Sequence, residues 1–212
     1  MAKATRRRMS TDRPRRNPAA ARERTARSAL VRRDGAGALV LSGGLTLKGE
    51  AFQKGVDECL VLEAAASSQS TIIVQAADAI FGELGIANPR WREDVSHNAK
   101  LWFLVVNGDA TSCALFSQRD GGPDAIVHML ATAPDCRRHG FASTLVDYVR
   151  AMHATTDAGQ VFVEVSAASD GPRDARTTAQ LFWHHEGFIE QCAHSYGPKL
   201  FPASILLVAT AA

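Results

Sequence analysis

The sequence predicts a mixed α/β fold, with a mostly antiparallel sheet of about six to seven strands, three to four helices and one parallel strand pair. Three observations carry this expectation. Apolar segments of strand length follow one another through the middle of the chain, joined by turn residues. After Pro134 the hydrophobic period lengthens from two residues to between three and four, as on the buried face of a helix. A further apolar run, Val161 to Val165, follows a stop at Gly159, so strand, helix and strand form a crossover whose two strands run parallel.

In chain order, residues 1–33 are rich in Arg, Ala, Ser and Pro and poor in large apolar side chains, which predicts a disordered basic tail. Residues 34–58 read as a linker or an extra hairpin, with Ala36 to Lys48 folding around Gly43-Gly44. The main domain is expected over 59–212. Cys59 to Ala64 is a plausible strand. From Ser70, the spacing of Ile73, Ala77, Ile80, Phe81 and Leu84 makes an amphipathic helix closed by Gly85 and Pro89. Leu101 to Val106, Thr111 to Phe116 and Ala125 to Ala133 then form a meander, turned first at Asn107-Gly108 and again over Gln118 to Pro123. Phe141, Leu145, Tyr148, Val149 and Met152 share one helical face. A second helix runs from about Asp174 to His185 and meets Gly187 at its C-terminal end. Phe188 to Cys192 and Leu200 to Val208 supply the closing strands.

The net charge of +2 over 212 residues hides an asymmetry. Met1 to Arg33 holds twelve basic and two acidic residues, a net of +10, which leaves −8 on Asp34 to Ala212. No apolar stretch approaches the roughly 20 residues that span a bilayer, and an Arg-rich start without a following apolar segment is not a secretory signal. An intracellular protein is therefore expected, in cytoplasm or nucleus, with organellar import left open. Cys59, Cys113, Cys136 and Cys192 are irregularly spaced and contain no C-x-x-C pair, which argues against a zinc site or a disulfide framework.

The stretch that carries chemistry is Leu130-Ala-Thr-Ala-Pro-Asp-Cys-Arg-Arg-His-Gly-Phe-Ala-Ser-Thr-Leu145. A strand runs into a turn containing Arg137, Arg138, His139 and Gly140, and a helix begins directly afterwards at Phe141, Ala142 and Ser143. Backbone N–H groups at such a helix start have no intrahelical partner and carry the positive end of the helix dipole, and Gly140 lets a phosphate approach the main chain. Arg137 and Arg138 add charge suited to phosphate oxygens. The pattern Arg-x-x-Gly-x-Ala is weak by itself; its context between a strand and a strongly amphipathic helix is what raises it.

About 40 residues further on comes Ala179-Gln-Leu-Phe-Trp-His-His-Glu-Gly-Phe188. Together the two segments resemble the GNAT superfamily of acetyl-CoA-dependent N-acetyltransferases, specifically over Ala125 to Phe188. In that family a Q/R-x-x-G-x-G/A loop binds the coenzyme A pyrophosphate and the later segment flanks the pantetheine arm. The resemblance implies acetyl-CoA as co-substrate, with its phosphates at Arg137 to Ser143 and Trp183 beside the arm. From Pro134 back to His128 a strand covers about 20 Å, which places the thioester near Leu130. The family's parallel strands splay here, so the backbone at Leu130 and Thr132 is expected to bond the arm and the acetyl carbonyl. An N–H aimed at that oxygen stabilises its developing negative charge.

His128 lies two residues before Leu130, which on a regular strand puts both on one face. An imidazole near the thioester can take the proton of an incoming ammonium group, directly or through water; the ordinary alternative is a half-buried strand histidine. V-H-M-L-A-T also resembles the strand of arylalkylamine acetyltransferases, which implies the proton-taking role. Trp183 departs from the family pattern, which carries Tyr there to protonate the departing thiolate; indole has no such proton to give, and His184 and Tyr196 are the substitute candidates. Arg176 stands where the family commonly has Asn. Glu164 is an alternative base, and the adjacent pair His184-His185 lacks metal-ligand spacing.

The resulting expectation is an N-acetyltransferase that moves acetyl from acetyl-CoA to a primary amine by direct attack in a ternary complex. The acceptor is a small-molecule amine or a protein lysine or N-terminal amine, and the −8 domain favours a cationic one. Two alternatives stand beside it. One is an acyl-CoA-binding regulatory relative with little turnover, motivated by Trp183; the other is a nucleic-acid or chromatin-associated protein acting through residues 1–33, with salt-sensitive binding.

Overall fold

The computed structural model describes residues 18–82, 98–118, 124–154, 159–166, 173–191 and 204–210. Helix α1 (Pro18–Ser28) leads into a small antiparallel pair, β1 (Val31–Arg33) with β2 (Leu39–Leu41). A hairpin of β3 (Thr46–Lys54) and β4 (Asp57–Ala65) follows, then α2 (Thr71–Phe81) and the meander β5 (Lys100–Val106), β6 (Asp109–Gln118) and β7 (Ala125–Thr132). Helix α3 (Phe141–Ala154), β8 (Gln160–Ser166), α4 (Arg173–His185), β9 (Ile189–Gln191) and β10 (Ser204–Thr210) complete the order.

β3 to β10 form one sheet in the order β3-β4-β5-β6-β7-β8-β10-β9. The pairing is antiparallel throughout except between β7 and β8, joined by the α3 crossover, so the predicted mixed sheet with one parallel pair is present. Asn107 and Gly108 take φ of 50° and 89°, the left-handed values that a two-residue hairpin turn requires. The sheet is one strand wider than expected because β3 joins it.

Each face of the sheet buries its own core. On one, Leu60, Leu62, Leu101, Phe103, Leu115, Met129 and Ala131 pack under α2 through Ile73, Ile80 and Phe81. Burying each such large side chain contributes about 1.5–3 kcal/mol. On the other face, Val61, Leu104, Phe116 and Val127 meet Phe141, Leu145 and Val149 of α3 and Trp183 of α4. The expected helical stripe is real, with Phe141, Leu145 and Val149 buried and Tyr148 and Met152 half-buried.

Two expectations about the first 58 residues are corrected. The stretch read as disordered contains α1 from residue 18 onward, docked by Leu30 at 0% exposure and by Arg27, whose guanidinium meets Asp135 Oδ2 at 2.8 Å. Local composition counts these arginines as mutually repelling, but their counter-charges are distant in sequence: Arg27 pairs with Asp135 and Arg24 with Asp109 at 3.4 Å. Pro18 at the first helical position and the alanines after it are the local signal that favours a helix. The hairpin expected around Gly43-Gly44 is absent. The turn instead falls at Asp34, whose Oδ1 accepts from the Ala36 and Ala38 N–H groups at 2.9 Å each. Residues 1–17 and Tyr196 lie outside the described residues, as does the turn over 119–123.

Candidate active site

β7 and β8 pair only from Ala125↔Val161 to Val127↔Val163, although β7 continues to Thr132 and β8 to Ser166. The strands therefore part after Val127 and leave a wedge. The Ala133 N–H donates to Thr111 O at 2.9 Å, toward β6. Main-chain groups alternate sides along a strand, so those of Ala131 also face β6, while those of Leu130 and Thr132 face the β8 side and the wedge. Consistent with this, the Thr132 carbonyl accepts from Arg137 Nε at 3.2 Å.

A bulge sits within β7. Leu115 pairs with Met129 and Phe116 with Val127, which leaves His128 without a partner residue. The extra residue reverses the alternation: Val127 and Leu130 both face the α3 core, whereas Met129 and Ala131 face the α2 core. The two-residue spacing from His128 to Leu130 thus does not behave as on a regular strand. His128 is half-buried, its Nε2 lies 2.7 Å from Ser117 Oγ, and its Nδ1 is buried with no hydrogen-bond partner among the described residues. Burial pushes the His128 pKa down from 6.5 to about 4, so the ring is neutral at pH 7.

Beyond β7, a short 3-10 turn over Pro134–Cys136 leads into exposed Arg137, Arg138, His139 and Gly140. Arg138 and Gly140 take φ of 66° and 72°, and the left-handed value at Arg138 costs about 1–2 kcal/mol in an L-residue. The Gly140 carbonyl accepts the first intrahelical bond, from the Thr144 N–H at 3.0 Å. The N–H groups of Phe141, Ala142 and Ser143 therefore stand ahead of the helix ladder. Ser143 Oγ donates to the buried Glu186 carboxylate at 2.7 Å, which ties α3 to the end of α4. His139 stacks on Phe141, with ring centroids 5.6 Å apart.

The wedge, the bulged strand and the helix N-terminus thus meet at one end of the sheet. A model of the acetyltransferase (GNAT) family matches residues 74–171, which run from α2 through both splayed strands. Residues 74–171 belong to the GNAT acetyltransferase family. The GNAT fold here is similar to that of ribosomal-protein-S18-alanine N-acetyltransferase from Escherichia coli, with 18% identity, a TM-score of 0.50, and coverage of 71% of this chain and 94% of that one. It is also similar to Tetrahymena GCN5, at 11% identity and a TM-score of 0.50, covering 63% of this chain and 82% of that one. No curated protein sequence matches the chain.

Within the GNAT fold, Trp183 is 6% exposed and packs edge-to-face on Phe182 and Phe188, with centroids 5.0 and 4.9 Å away. It is a core residue, packed between two aromatic rings. His184 is exposed and its Nδ1 is 3.0 Å from Phe188 O. Glu164 lies in β8 and Arg176 in α4, with side chains outside the described set. Four residues at or beside the site carried no sequence signal: Arg27, Lys54, Ser117 and Glu186. Arg27, Lys54 and Glu186 reach it across 43 to 108 residues, for which a local pattern has no marker, and Ser117 reaches His128 only through the pairing of β6 with β7. Among the described residues no helix is long and apolar enough to cross a membrane.

Proposed function

We propose that the chain is an N-acetyltransferase that transfers acetyl from acetyl-CoA to a primary amine by direct attack in a ternary complex. The observation that carries this reading is the opening of the β7–β8 ladder next to a helix start with exposed N–H groups and two arginines. The residues fit the coenzyme: the Phe141, Ala142 and Ser143 N–H groups and the Arg137 and Arg138 guanidinium groups meet the pyrophosphate, and the wedge admits an extended arm. The coenzyme supplies an activated acetyl thioester. The Leu130 N–H is positioned to donate to the acetyl carbonyl oxygen as charge develops there, and the Thr132 N–H holds the arm beside it.

His128 cannot take the first proton from an alkylammonium group efficiently. A gap of roughly 6 units between its pKa of about 4 and an ordinary amine pKa makes that transfer uphill by about 8 kcal/mol. The amine therefore enters neutral, and His128 takes the proton only after nitrogen attacks the carbonyl and its N–H becomes acidic. Ser117 Oγ, 2.7 Å from Nε2, orients the ring for that step. With Trp183 in place of Tyr, the thiolate takes its proton from water or from His184.

The test is release of free thiol from acetyl-CoA in the presence of a panel of small amines and lysine- or N-terminal-amine peptides. Turnover with any member supports the enzyme. Saturable acetyl-CoA binding without turnover supports the regulatory reading that Trp183 motivates, and absence of binding overturns both.

A further inference from the structure

β3 ends at Lys54, at the same end of the sheet as the end of β7, and lies ahead of the residues that match the family. Its side chain crosses to the start of α3. Lys54 Nζ donates to the Gly140 carbonyl at 2.8 Å and to Thr144 Oγ1 at 2.5 Å, and stands 5.5 Å from the centre of the Phe141 ring. A Cβ added at Gly140 would come within 2.9 Å of this ammonium.

The ammonium rests on a carbonyl oxygen, a hydroxyl and a ring face, beside the positive end of a helix. The first turn of a helix carries partial positive charge, and a cation there costs about 0.3–1 kcal/mol where an anion would gain as much. Arg137 and Arg138 lie in the same turn. Of the acids at this end, Asp57 stands opposite Lys54 in the β3–β4 ladder and accepts from Asn107 Nδ2 at 2.7 Å, Asp135 is held by Arg27, and Glu186 accepts from Ser143 on the α4 flank. Among the described residues neither Lys54 nor Arg138 has a carboxylate within ion-pair distance. Among the described residues the charges of Lys54 and Arg138 thus lie at one helix start without a carboxylate in ion-pair distance, the arrangement that an incoming polyanion neutralises.

We propose that Lys54, supplied by the added edge strand β3, binds a phosphate group of the coenzyme at the start of α3. The proposal rests on the acetyl-CoA reading given above. In the free protein the ammonium rests on Gly140 O and Thr144 Oγ1; with coenzyme bound, its flexible four-carbon stem carries it to a phosphoryl oxygen.

The test is calorimetric titration of the full chain with acetyl-CoA, comparing wild type with Lys54→Met, Lys54→Arg and Thr144→Val. Lys54→Met is expected to raise Kd about tenfold, with the loss shrinking at high salt, as for a charge-assisted bond. Lys54→Arg is expected to recover most of that loss. Thr144→Val separates contact from support: it removes a resting partner of Lys54 and leaves the ammonium free to reach phosphate, so its Kd stays within about twofold of wild type. Acetyl-dephospho-CoA locates the contact. The same tenfold loss with that ligand places it on the pyrophosphate, and disappearance of the loss places it on the 3′-phosphate. A wild type that binds while Lys54→Met matches it within twofold overturns the Lys54 proposal alone. So does a Thr144→Val variant as weak as Lys54→Met, because Lys54 would then only brace the loop. A wild type that fails to bind acetyl-CoA overturns the coenzyme reading and this proposal together.

Discussion

Replacing Arg27 by Met tests whether the N-terminal helix supports the turn ahead of α3, the proposed phosphate site. The guanidinium is 5% exposed, 2.8 Å from Asp135 Oδ2 and 3.6 Å from Cys136 Sγ. A hydrogen bond to a charged group is worth about 1.5–3 kcal/mol net. Asp135 is 55% exposed, so the freed carboxylate returns to water, and the cost falls at the low end, about 1.5 kcal/mol. Met retains most of the apolar stem that packs beneath α1. For a chain of this size that loss lowers Tm by about 3–6 °C. The hydrogen bond from Arg27 holds the Asp135 carboxyl below its ordinary pKa of 3.8, so its contribution is present above that pH and lost as pH falls through the lowered value. Wild type and Arg27→Met should therefore converge in stability as pH falls below that lowered pKa. The unpaired carboxylate beside Arg137 also repels phosphate, and the single variant should bind acetyl-CoA about fivefold more weakly. Removing that charge in Arg27→Met/Asp135→Asn should restore affinity. Urea unfolding at pH 7 and pH 3, with calorimetric binding, measures each part. A single variant as stable as wild type at pH 7, or a double variant no tighter than the single, refutes the reasoning.

Three further outcomes follow from the same geometry. His128 is half-buried with its pKa near 4, so it opposes acid stability: the fold should lose up to about 3 kcal/mol as pH falls from 6.5 toward 4. In His128→Phe that loss should be smaller, as read by urea unfolding at pH 7.5 and 4.5. Gly140→Leu places a side chain at φ 72° and against Lys54, and should abolish measurable acetyl-CoA binding while the far-UV circular dichroism spectrum stays that of wild type. Leu30→Ala, at a site with 0% exposure, should cost about 2–4 kcal/mol in urea unfolding, whereas a change of under 0.5 kcal/mol would mean that α1 is not docked through it.

The meander, the crossover and the turn into α3 are legible in the sequence because each element or turn carries its own local pattern. Asn107-Gly108 marks its own turn, and the stripe from Phe141 to Val149 marks its own helix. The His128 bulge is not legible. A-I-V-H-M-L-A-T alternates as written, and only the pairing with β6 shows that one residue is extra. The same limit explains α1, whose arginines look repulsive until Asp109 and Asp135 are brought to them from about 85 and 108 residues away. Lys54 is likewise an ordinary strand-end lysine until Gly140 arrives from 86 residues further on.

Amide hydrogen exchange with and without acetyl-CoA tests the central claim most directly, because the claim is about particular N–H groups. The account predicts added protection at Leu130, Thr132 and the helix start from Phe141 to Ser143, with little change in β3 through β5 apart from the end of β3 at Lys54. Protection absent from 130–143, or concentrated elsewhere in the chain, would contradict it.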